Sequence, residues 1–251
     1  MAVSADPVDA RRAGRELVLE AVFRPLSNLL VPVLRRLGVS PLAVVLANAA
    51  AGLAAAFVLA RGQLIAAAVL LQLKTLLDNT DGQLARATGR VTLAGRYLDT
   101  VADLLVNAAL FAALGYVTGQ PLLALAAFVA LTLVLAADFN ATELYREAHG
   151  TPTLQSPPTG SRTERVLTSV YAAVFAPLDR MFRRFGGRGG YDHFTVTVLA
   201  NLGLSTQLVV LGVCLALEAP SAYLWFVLVC LVALVPLQLR AQRHARARIA
   251  S

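Results

Sequence analysis

Four aspartates occur at helical spacing beside two apolar segments. Asp78 and Asp81 follow the run AAAVLLQLKTLL, and Asp99 and Asp103 precede the run LLVNAALFAALGYV. Residues three or four positions apart lie on the same face of a helix. Because ionisable side chains in apolar segments are energetically unfavourable and usually functional, these four carboxylates are the first candidates for a site.

The link between the two segments, residues 87–94, is short and polar, so we predict two antiparallel helices whose acidic faces can meet. Four carboxylates at close range repel one another strongly unless cations lie between them. Ligation by oxygen alone suits Mg²⁺, Mn²⁺ or Ca²⁺ better than zinc. The pattern therefore predicts a site for divalent cations between the two helices.

Two glycines and an arginine accompany the acids. Gly82 and Gly95 carry no side chain, so a ligand can approach the backbone there. Arg86 offers a planar guanidinium that can bind phosphate through two hydrogen bonds. Divalent ions, a phosphate-binding arginine and open glycine surfaces together favour phosphoryl transfer.

Two other interpretations of the acids stay open at this point. They could form a buried salt-bridge network with Arg86, Arg90 and Arg96. They could also line the cation pathway of a transporter or channel, which would distribute acids along the spans at several depths. Here the acids cluster at one end of the two segments, and this clustering favours an enzyme.

The stretch from Asp78 to Asp103 also resembles a known family. It contains the pattern D-x2-D-G-x2-A-R-x8-G-x3-D-x3-D of the CDP-alcohol phosphotransferases, also called CDP-alcohol phosphatidyltransferases. Every fixed position of that pattern is present: Asp78, Asp81, Gly82, Ala85, Arg86, Gly95, Asp99 and Asp103.

The resemblance implies an enzyme of phospholipid biosynthesis that moves a phospho-alcohol unit, expected to be phosphatidyl, from a CDP-linked donor to an alcohol acceptor. CMP is released, and two divalent ions, Mg²⁺ or Mn²⁺, are the implied cofactors. It implies metal ligation by Asp78, Asp81, Asp99 and Asp103, with Asp103 as the candidate general base. The implied CDP- and phosphate-binding residues are Asp81, Gly82, Ala85, Arg86 and Gly95. A homodimer and contacts with membrane lipid are expected as well.

The acceptor is less constrained by the sequence. Glycerol 3-phosphate and an inositol phosphate are the favoured acceptors, and basic residues near the motif would bind their phosphate. The candidates are Lys74, Arg146, Arg162 and Arg165. Lys74 could instead neutralise Asp78, and the arginines could simply set the membrane topology. Asn48, Asn107 and Asn140 lie within apolar segments, where they could join helices by hydrogen bonds or bind a ligand.

The composition predicts a polytopic membrane protein. The chain has 251 residues, of which 57% are hydrophobic, with a net charge of +7. Arginines flank the apolar segments, so membrane topology explains the basic excess better than nucleic-acid binding does. We expect no cleavable signal peptide and no disulfide, since Cys214 and Cys230 both lie in apolar runs.

We therefore predict an all-α integral membrane protein with six transmembrane helices and an N-terminal amphipathic interfacial helix. The predicted spans are 41–60, 64–86, 93–117, 121–147, 193–217 and 221–239. Residues 8–37 are predicted to form the first interfacial helix, or alternatively a solvated helix packed on the core, which Pro25 and Pro32 are expected to break. Residues 163–186 are predicted to form a second interfacial helix. The sequence GGRGG is then a hinge into the fifth span.

The arginine distribution predicts the orientation. Only Arg61 falls in a predicted outer loop, so the positive-inside rule places both termini in the cytoplasm of a bacterial cell. The predicted organisation is an interfacial segment 1–40, a catalytic domain 41–239 that includes the cytoplasmic loop 148–192, and a basic tail 240–251.

Overall fold

The structure is a computed structural model that describes residues 14–150, 162–186 and 190–250. A π-helical segment, Leu19–Phe23, leads into the first of nine α-helices found within these ranges. They are α1 Arg24–Arg36, α2 Pro41–Ala60, α3 Leu64–Ala87, α4 Leu93–Thr118, α5 Pro121–Ala148, α6 Arg162–Gly186, α7 His193–Ala200, α8 Leu204–Ala216 and α9 Pro220–Ala250.

Short sequence signals fix the helix ends near the predicted boundaries. Ser40 caps α2, with Pro41 in the first turn where no backbone N–H needs a partner. Thr92 caps α4 through a hydrogen bond from the Gly95 N–H. Gly119 ends α4 in the left-handed conformation, with φ 67°, which glycine adopts without strain. The Thr92 cap keeps the link between α3 and α4 short.

Five helical segments of the described ranges are long and apolar enough to cross a membrane. They are Pro41–Ala60, Leu93–Thr118, Pro121–Ala148, His193–Ala216 and Pro220–Arg246. The predicted second span corresponds to α3, which is not among the five. Its apolar character is reduced by four charged residues between positions 74 and 86, namely Lys74, Asp78, Asp81 and Arg86.

The predicted helix breaks at Pro25 and Pro32 are wrong. Pro25 lies in the first turn of α1, directly after the π-helical segment, and α1 continues through Pro32 to Arg36. Leu29 is 71% exposed on this helix, and Ser27 is buried against α3. The described residues thus contain a continuous helix here, whereas 8–13 of the predicted segment lie outside them.

The predicted fifth span is interrupted by a turn between α7 and α8. Asn201 in this turn uses its side chain to hold the N-terminal segment: its Oδ1 accepts from the Leu17 N–H at 2.9 Å, and its Nδ2 donates to the Arg15 carbonyl at 2.6 Å. A Cβ at Gly203 would lie 2.8 Å from the Ala200 carbonyl oxygen. Through Asn201, the turn between α7 and α8 therefore anchors the residues that precede α1.

The predicted second interfacial helix corresponds to α6, which is not among the five apolar segments. It packs across α4 and α5 by polar and aromatic contacts. Arg183 donates to both carboxylate oxygens of Glu147 at 3.0 and 3.3 Å, and the rings of Tyr97 and Tyr171 lie 4.8 Å apart. The hinge residues 187–189 and the loop residues 151–161 lie outside the described part of the chain.

Small residues allow the spans around the motif to pack closely. A Cβ at Gly52 of α2 would lie only 2.4 Å from Cγ1 of Val106 on α4, and 3.2 Å from Cδ of Lys74 on α3. Alanines such as Ala55, Ala67 and Ala127 are fully buried in the same apolar core. This close approach brings α2, α3 and α4 together at the acidic residues.

Candidate active site

The α3–α4 hairpin brings three of the four motif aspartates together. Asp78 lies nine residues before the end of α3, and Asp99 and Asp103 are the seventh and eleventh residues of α4. Carboxylate oxygens of these three residues lie within 4.8 Å of one another. The predicted meeting of the two acidic faces is therefore present in the structure.

Lys74 and Asn48 hold this cluster from its buried side. The Lys74 ammonium is fully buried and lies 2.7 Å from Asp103 Oδ1 and 3.8 Å from Asp78 Oδ1. Asn48 of α2 donates its side-chain amide to Asp78 Oδ1 at 2.9 Å. One positive charge thus offsets part of the repulsion among the acids and fixes the orientation of two of them.

Asp81 lies beside the cluster but does not join the group of three. It is only 7% exposed, and its Oδ2 has no hydrogen-bond partner among the described residues. Oδ1 of Asp99 is also buried and has no such partner in the described ranges. Buried polar atoms are normally paired, and both of these carboxylate oxygens can accept a bond from a ligand.

The residues present fit a divalent cation. Oxygen donors from three carboxylates converge, two neighbouring carboxylate oxygens lack partners, and one lysine supplies less positive charge than four acids require. Hard cations such as Mg²⁺, Mn²⁺ and Ca²⁺ select all-oxygen donors of this kind. Asp78, Asp99 and Asp103 are the donors that the geometry favours, with Asp81 adjacent.

The motif glycines lie against polar side chains of their own helix or its cap. The Arg86 side chain is exposed and lies over Gly82 of the preceding turn, with Nη1 3.5 Å from the position of a Cβ there. At Gly95 a Cβ would lie 3.0 Å from Thr92 Oγ1, so that glycine also serves the cap of α4. Ala85 is half-buried on the same part of α3.

A cavity of about 160 Å³ extends from Asp99 and Asp103 to α6. Its polar lining includes Asn107 and Thr132 of the spans together with Tyr171 and Asp179 of α6. Nothing in the sequence linked α6 to the motif, although Asp179 did interrupt an otherwise apolar run. That interruption was the available signal that α6 contributes to the site.

Asp179 accepts hydrogen bonds in this region from α5 and from its own helix, α6. Asn140 donates to Asp179 Oδ1 at 2.8 Å, and the Tyr171 hydroxyl lies 3.5 Å from Asp179 Oδ2. Burial and then the Asp179 charge raise the pKa of Tyr171 to about 12, so this hydroxyl stays protonated. The predicted role of an intramembrane asparagine in joining helices is thus present at Asn140, as it is at Asn48.

The four predicted acceptor residues lie in three different places. Lys74 contacts the acids themselves, and Arg146 lies 3.9 Å from Glu143 on its own helix. Arg162 and Arg165 line a separate, open cavity of about 480 Å³ along α6. The 160 Å³ cavity beside the aspartates is lined by none of the four.

A second pair of acidic residues could not be predicted from the sequence, because its members are far apart in the chain. Glu16 and Asp138 each have a buried oxygen with no hydrogen-bond partner in the described part of the chain, and both lie near the turn between α7 and α8. Burial raises the pKa of Glu16 to about 7, although a hydrogen bond with Ser205 lowers it somewhat and the Asp78 charge raises it again.

Comparison with known proteins agrees with the geometry of the hairpin. The chain belongs to the CDP-alcohol phosphatidyltransferase family, whose model matches residues 36–180, from the end of α1 to α6. This membership favours a transferase over the cation pathway considered above.

One curated relative shares part of this region. It is the bifunctional IPC transferase and DIPP synthase of Thermococcus kodakarensis, 33% identical over 116 residues, which are 43% of this chain and 26% of that protein. The chain therefore matches about a quarter of the length of this relative. No solved structure matches the chain.

Proposed function

We propose that the protein transfers a phosphatidyl or similar phospho-alcohol group from a CDP-linked donor to an alcohol acceptor, with release of CMP, in phospholipid biosynthesis. The observation that carries this proposal is the convergence of Asp78, Asp99 and Asp103 on the hairpin that bears the family pattern. Phosphoryl transfer needs positioned groups and neutralised charge more than it needs a nucleophilic side chain, and this site supplies both.

Two divalent ions, Mg²⁺ or Mn²⁺, would be held by Asp78, Asp81, Asp99 and Asp103 and would neutralise charge on the donor diphosphate when bound. The unpartnered oxygens of Asp81 and Asp99 support their share of this ligation. Lys74 orients Asp103 through its contact at 2.7 Å, and Asn48 orients Asp78 at 2.9 Å.

The CDP end of the donor would lie along the outer turns of the hairpin. Arg86 would bind phosphate through its guanidinium, whose Nη1 lies 3.5 Å from the position of a Cβ at Gly82. Gly82, Ala85 and Gly95 leave room for the cytidine because none of them extends a long side chain. Asp81 would complete the CDP-binding set at its buried edge.

Asp103 is the proposed general base. It borders the 160 Å³ cavity, so an acceptor entering there would bring its hydroxyl to this carboxylate. The hydroxyl proton would pass to Asp103 while the hydroxyl oxygen bonds to the phosphorus that carries the alcohol. The bond from that phosphorus to the bridging oxygen breaks, and CMP leaves with the electron pair.

The membrane arrangement is part of the proposal. We place α3 as a sixth span beside the five apolar segments, with α1 and α6 at the cytoplasmic interface and both termini in the cytoplasm of a bacterial cell. The domain bounds 1–40, 41–239 and 240–251 and a homodimeric state belong to the same proposal. Glycerol 3-phosphate and inositol phosphate are the acceptors that the sequence favours, through Arg146, Arg162 and Arg165.

Separating binding from chemistry at two aspartates tests this assignment. A CDP-alcohol would be titrated in saturating Mg²⁺, and CMP release would be followed in a single turnover. Asp103→Asn should turn over about 10²–10⁴-fold more slowly, because it removes the base, and should weaken donor binding less than Asp78→Asn does, because Asp78, Asp81 and Asp99 would still hold the ions. Asp78→Asn should weaken both binding and turnover, because it removes a metal ligand.

Each alternative result has a definite meaning. If Asp103→Asn lost binding as completely as Asp78→Asn, Asp103 would be chiefly a metal ligand and the base would be another group. If Asp103→Asn released CMP at the wild-type rate, the acceptor hydroxyl would need no protein base at this position.

A further inference from the structure

The cavity beside the motif aspartates is lined by carboxylates from two helices. Asp99 and Asp103 of α4 line it, and so does Asp179 of α6. Among the described residues, no lysine or arginine lines this cavity. The ions proposed at Asp99 and Asp103 would be engaged by the donor diphosphate, so a phosphate or carboxylate group of an acceptor beside Asp179 would meet a carboxylate and no cationic side chain.

Asp179 retains capacity to accept hydrogen bonds from a ligand. An ionised carboxylate can accept about four hydrogen bonds. Asn140 donates to Oδ1 at 2.8 Å, and the Tyr171 hydroxyl lies at 3.5 Å from Oδ2. These contacts fix the carboxylate at the cavity wall and leave part of its acceptor capacity unused.

The basic residues near Asp179 and Asp103 do not line the cavity. Arg183, one turn beyond Asp179, bonds to both oxygens of Glu147. Lys74 lies on the buried side of Asp103, and Arg96 is an exposed side chain of α4 whose charge acts on Tyr171 without lining the cavity. The positive charge needed to select a phosphorylated acceptor is therefore absent from the described cavity wall.

The size and remaining surface of the cavity suit a small alcohol. Its volume of about 160 Å³ corresponds to roughly five water molecules at liquid density. The stacked rings of Tyr171 and Phe175, with centroids 5.1 Å apart, form an aromatic wall beside Asp179. Such a wall accommodates the carbon skeleton of a polyol or the methylenes and ammonium of an amino alcohol.

We infer that the acceptor carries no anionic group, and that Asp179 selects it by accepting hydrogen bonds from hydroxyl or ammonium groups at the end remote from the reacting hydroxyl. The inference rests on the transfer reaction proposed above and narrows its acceptor class. It differs from the expectation of glycerol 3-phosphate or inositol phosphate, which depended on basic residues that lie outside this cavity.

The test is an acceptor panel with detergent-purified protein, CDP-diacylglycerol and saturating Mg²⁺. Glycerol and inositol represent neutral polyols, ethanolamine represents a cationic alcohol whose ammonium donates hydrogen bonds, and choline a cationic alcohol whose quaternary nitrogen does not. Glycerol 3-phosphate and inositol phosphate represent anionic alcohols. We expect kcat/KM for at least one non-anionic acceptor to exceed that for both anionic acceptors by about tenfold or more. Comparison of the neutral polyols with ethanolamine shows whether Asp179 accepts hydrogen bonds from hydroxyl or from ammonium groups.

Variants then connect this selectivity to Asp179. Asp179→Asn should raise KM for the preferred acceptor roughly 10- to 100-fold, because a charged hydrogen-bond acceptor is lost, while kcat changes little. Asp179→Arg should move the preference toward the anionic acceptors. Glu147→Gln is the matched control: it also weakens a contact between α5 and α6 but lies outside the cavity, so its KM should stay at the wild-type value.

The outcomes distinguish this inference from the proposed function. CMP release with anionic acceptors alone would overturn the inference and leave the transfer reaction standing. An equal rise in KM for Glu147→Gln would show that Asp179 only holds α6 in place. An absence of CMP release with every acceptor would overturn the proposed function, and the inference with it.

Discussion

Removal of the Lys74 charge should destabilise the protein in a way that depends on divalent metal. Lys74 is fully buried with its ammonium 2.7 Å from Asp103, whose side chain is 19% exposed. Removing one partner of a buried ion pair typically lowers the free energy of unfolding by about 3–5 kcal/mol. Because Asp103 retains some exposure, we expect about 3 kcal/mol for Lys74→Met, a substitution that preserves most of the side-chain volume.

The metal dependence follows from the position of the remaining acids. Without Lys74, Asp78 and Asp103 lie close together with no buried counter-charge. A bound divalent cation should therefore stabilise the Lys74→Met variant more than it stabilises the wild type. The assay is thermal unfolding in detergent, in EDTA and in excess Mg²⁺. A loss of 3 kcal/mol corresponds to a fall in Tm of roughly 6–12 °C for a chain of this size in EDTA. We expect at least half of that fall to be recovered in Mg²⁺.

A charge removed elsewhere provides the comparison. Arg61→Met deletes an exposed cation that lies over the Phe57 ring at 5.6 Å, and its effect should stay within about 0.5 kcal/mol in both conditions. If Lys74→Met lowered Tm equally in EDTA and in Mg²⁺, the lysine and the metal would not share the same carboxylates. Wild-type stability of Lys74→Met in EDTA would refute the buried ion pair.

Two further predictions concern the packing and the pH dependence of stability. Gly52→Ala should lower the free energy of unfolding by about 1–3 kcal/mol, because its Cβ would overlap Val106 at 2.4 Å. Adding Val106→Ala should recover part of this loss. Strict additivity of the two changes would contradict the contact. Burial gives Glu16 a folded-state pKa of about 7 against 4.5 for the ordinary group, so the folded protein binds more protons between these values. Its free energy of unfolding should therefore fall by up to about 3 kcal/mol as pH rises from 4.5 to 7. Unfolding measured at pH 5 and pH 8 should show a smaller fall for Glu16→Gln, and equal falls would contradict the burial of Glu16.

Much of the fold could be predicted because the relevant signals are local. Proline at the first turn of α2 and α5, the Thr92 cap and the left-handed Gly119 define helix ends within a residue or two of the predicted ones. The meeting of Asp78 with Asp99 and Asp103 also followed from local spacing. A short link between two helices leaves them few alternatives to antiparallel packing.

Features that depend on tertiary contacts could not be predicted from local patterns. The α1 helix continues through Pro32 because packing against α3 stabilises it beyond its intrinsic propensity. The turn after α7 serves an anchor between Asn201 and the chain near Arg15, which are 186 residues apart. The contributions of Asp179 and Tyr171 to the cavity likewise depend on where α6 packs, and no periodicity in the sequence carries that information.

The central claim is that the aspartates of the α3–α4 hairpin support metal-dependent release of CMP from a CDP-alcohol. The most direct test is single-turnover CMP release by the purified protein during a Mg²⁺ titration, for the wild type and for Asp99→Asn. We predict no release in EDTA, a saturable return of activity with Mg²⁺ for the wild type, and no return for Asp99→Asn at any Mg²⁺ concentration. Full release in EDTA, or a wild-type rate for Asp99→Asn, would contradict the claim.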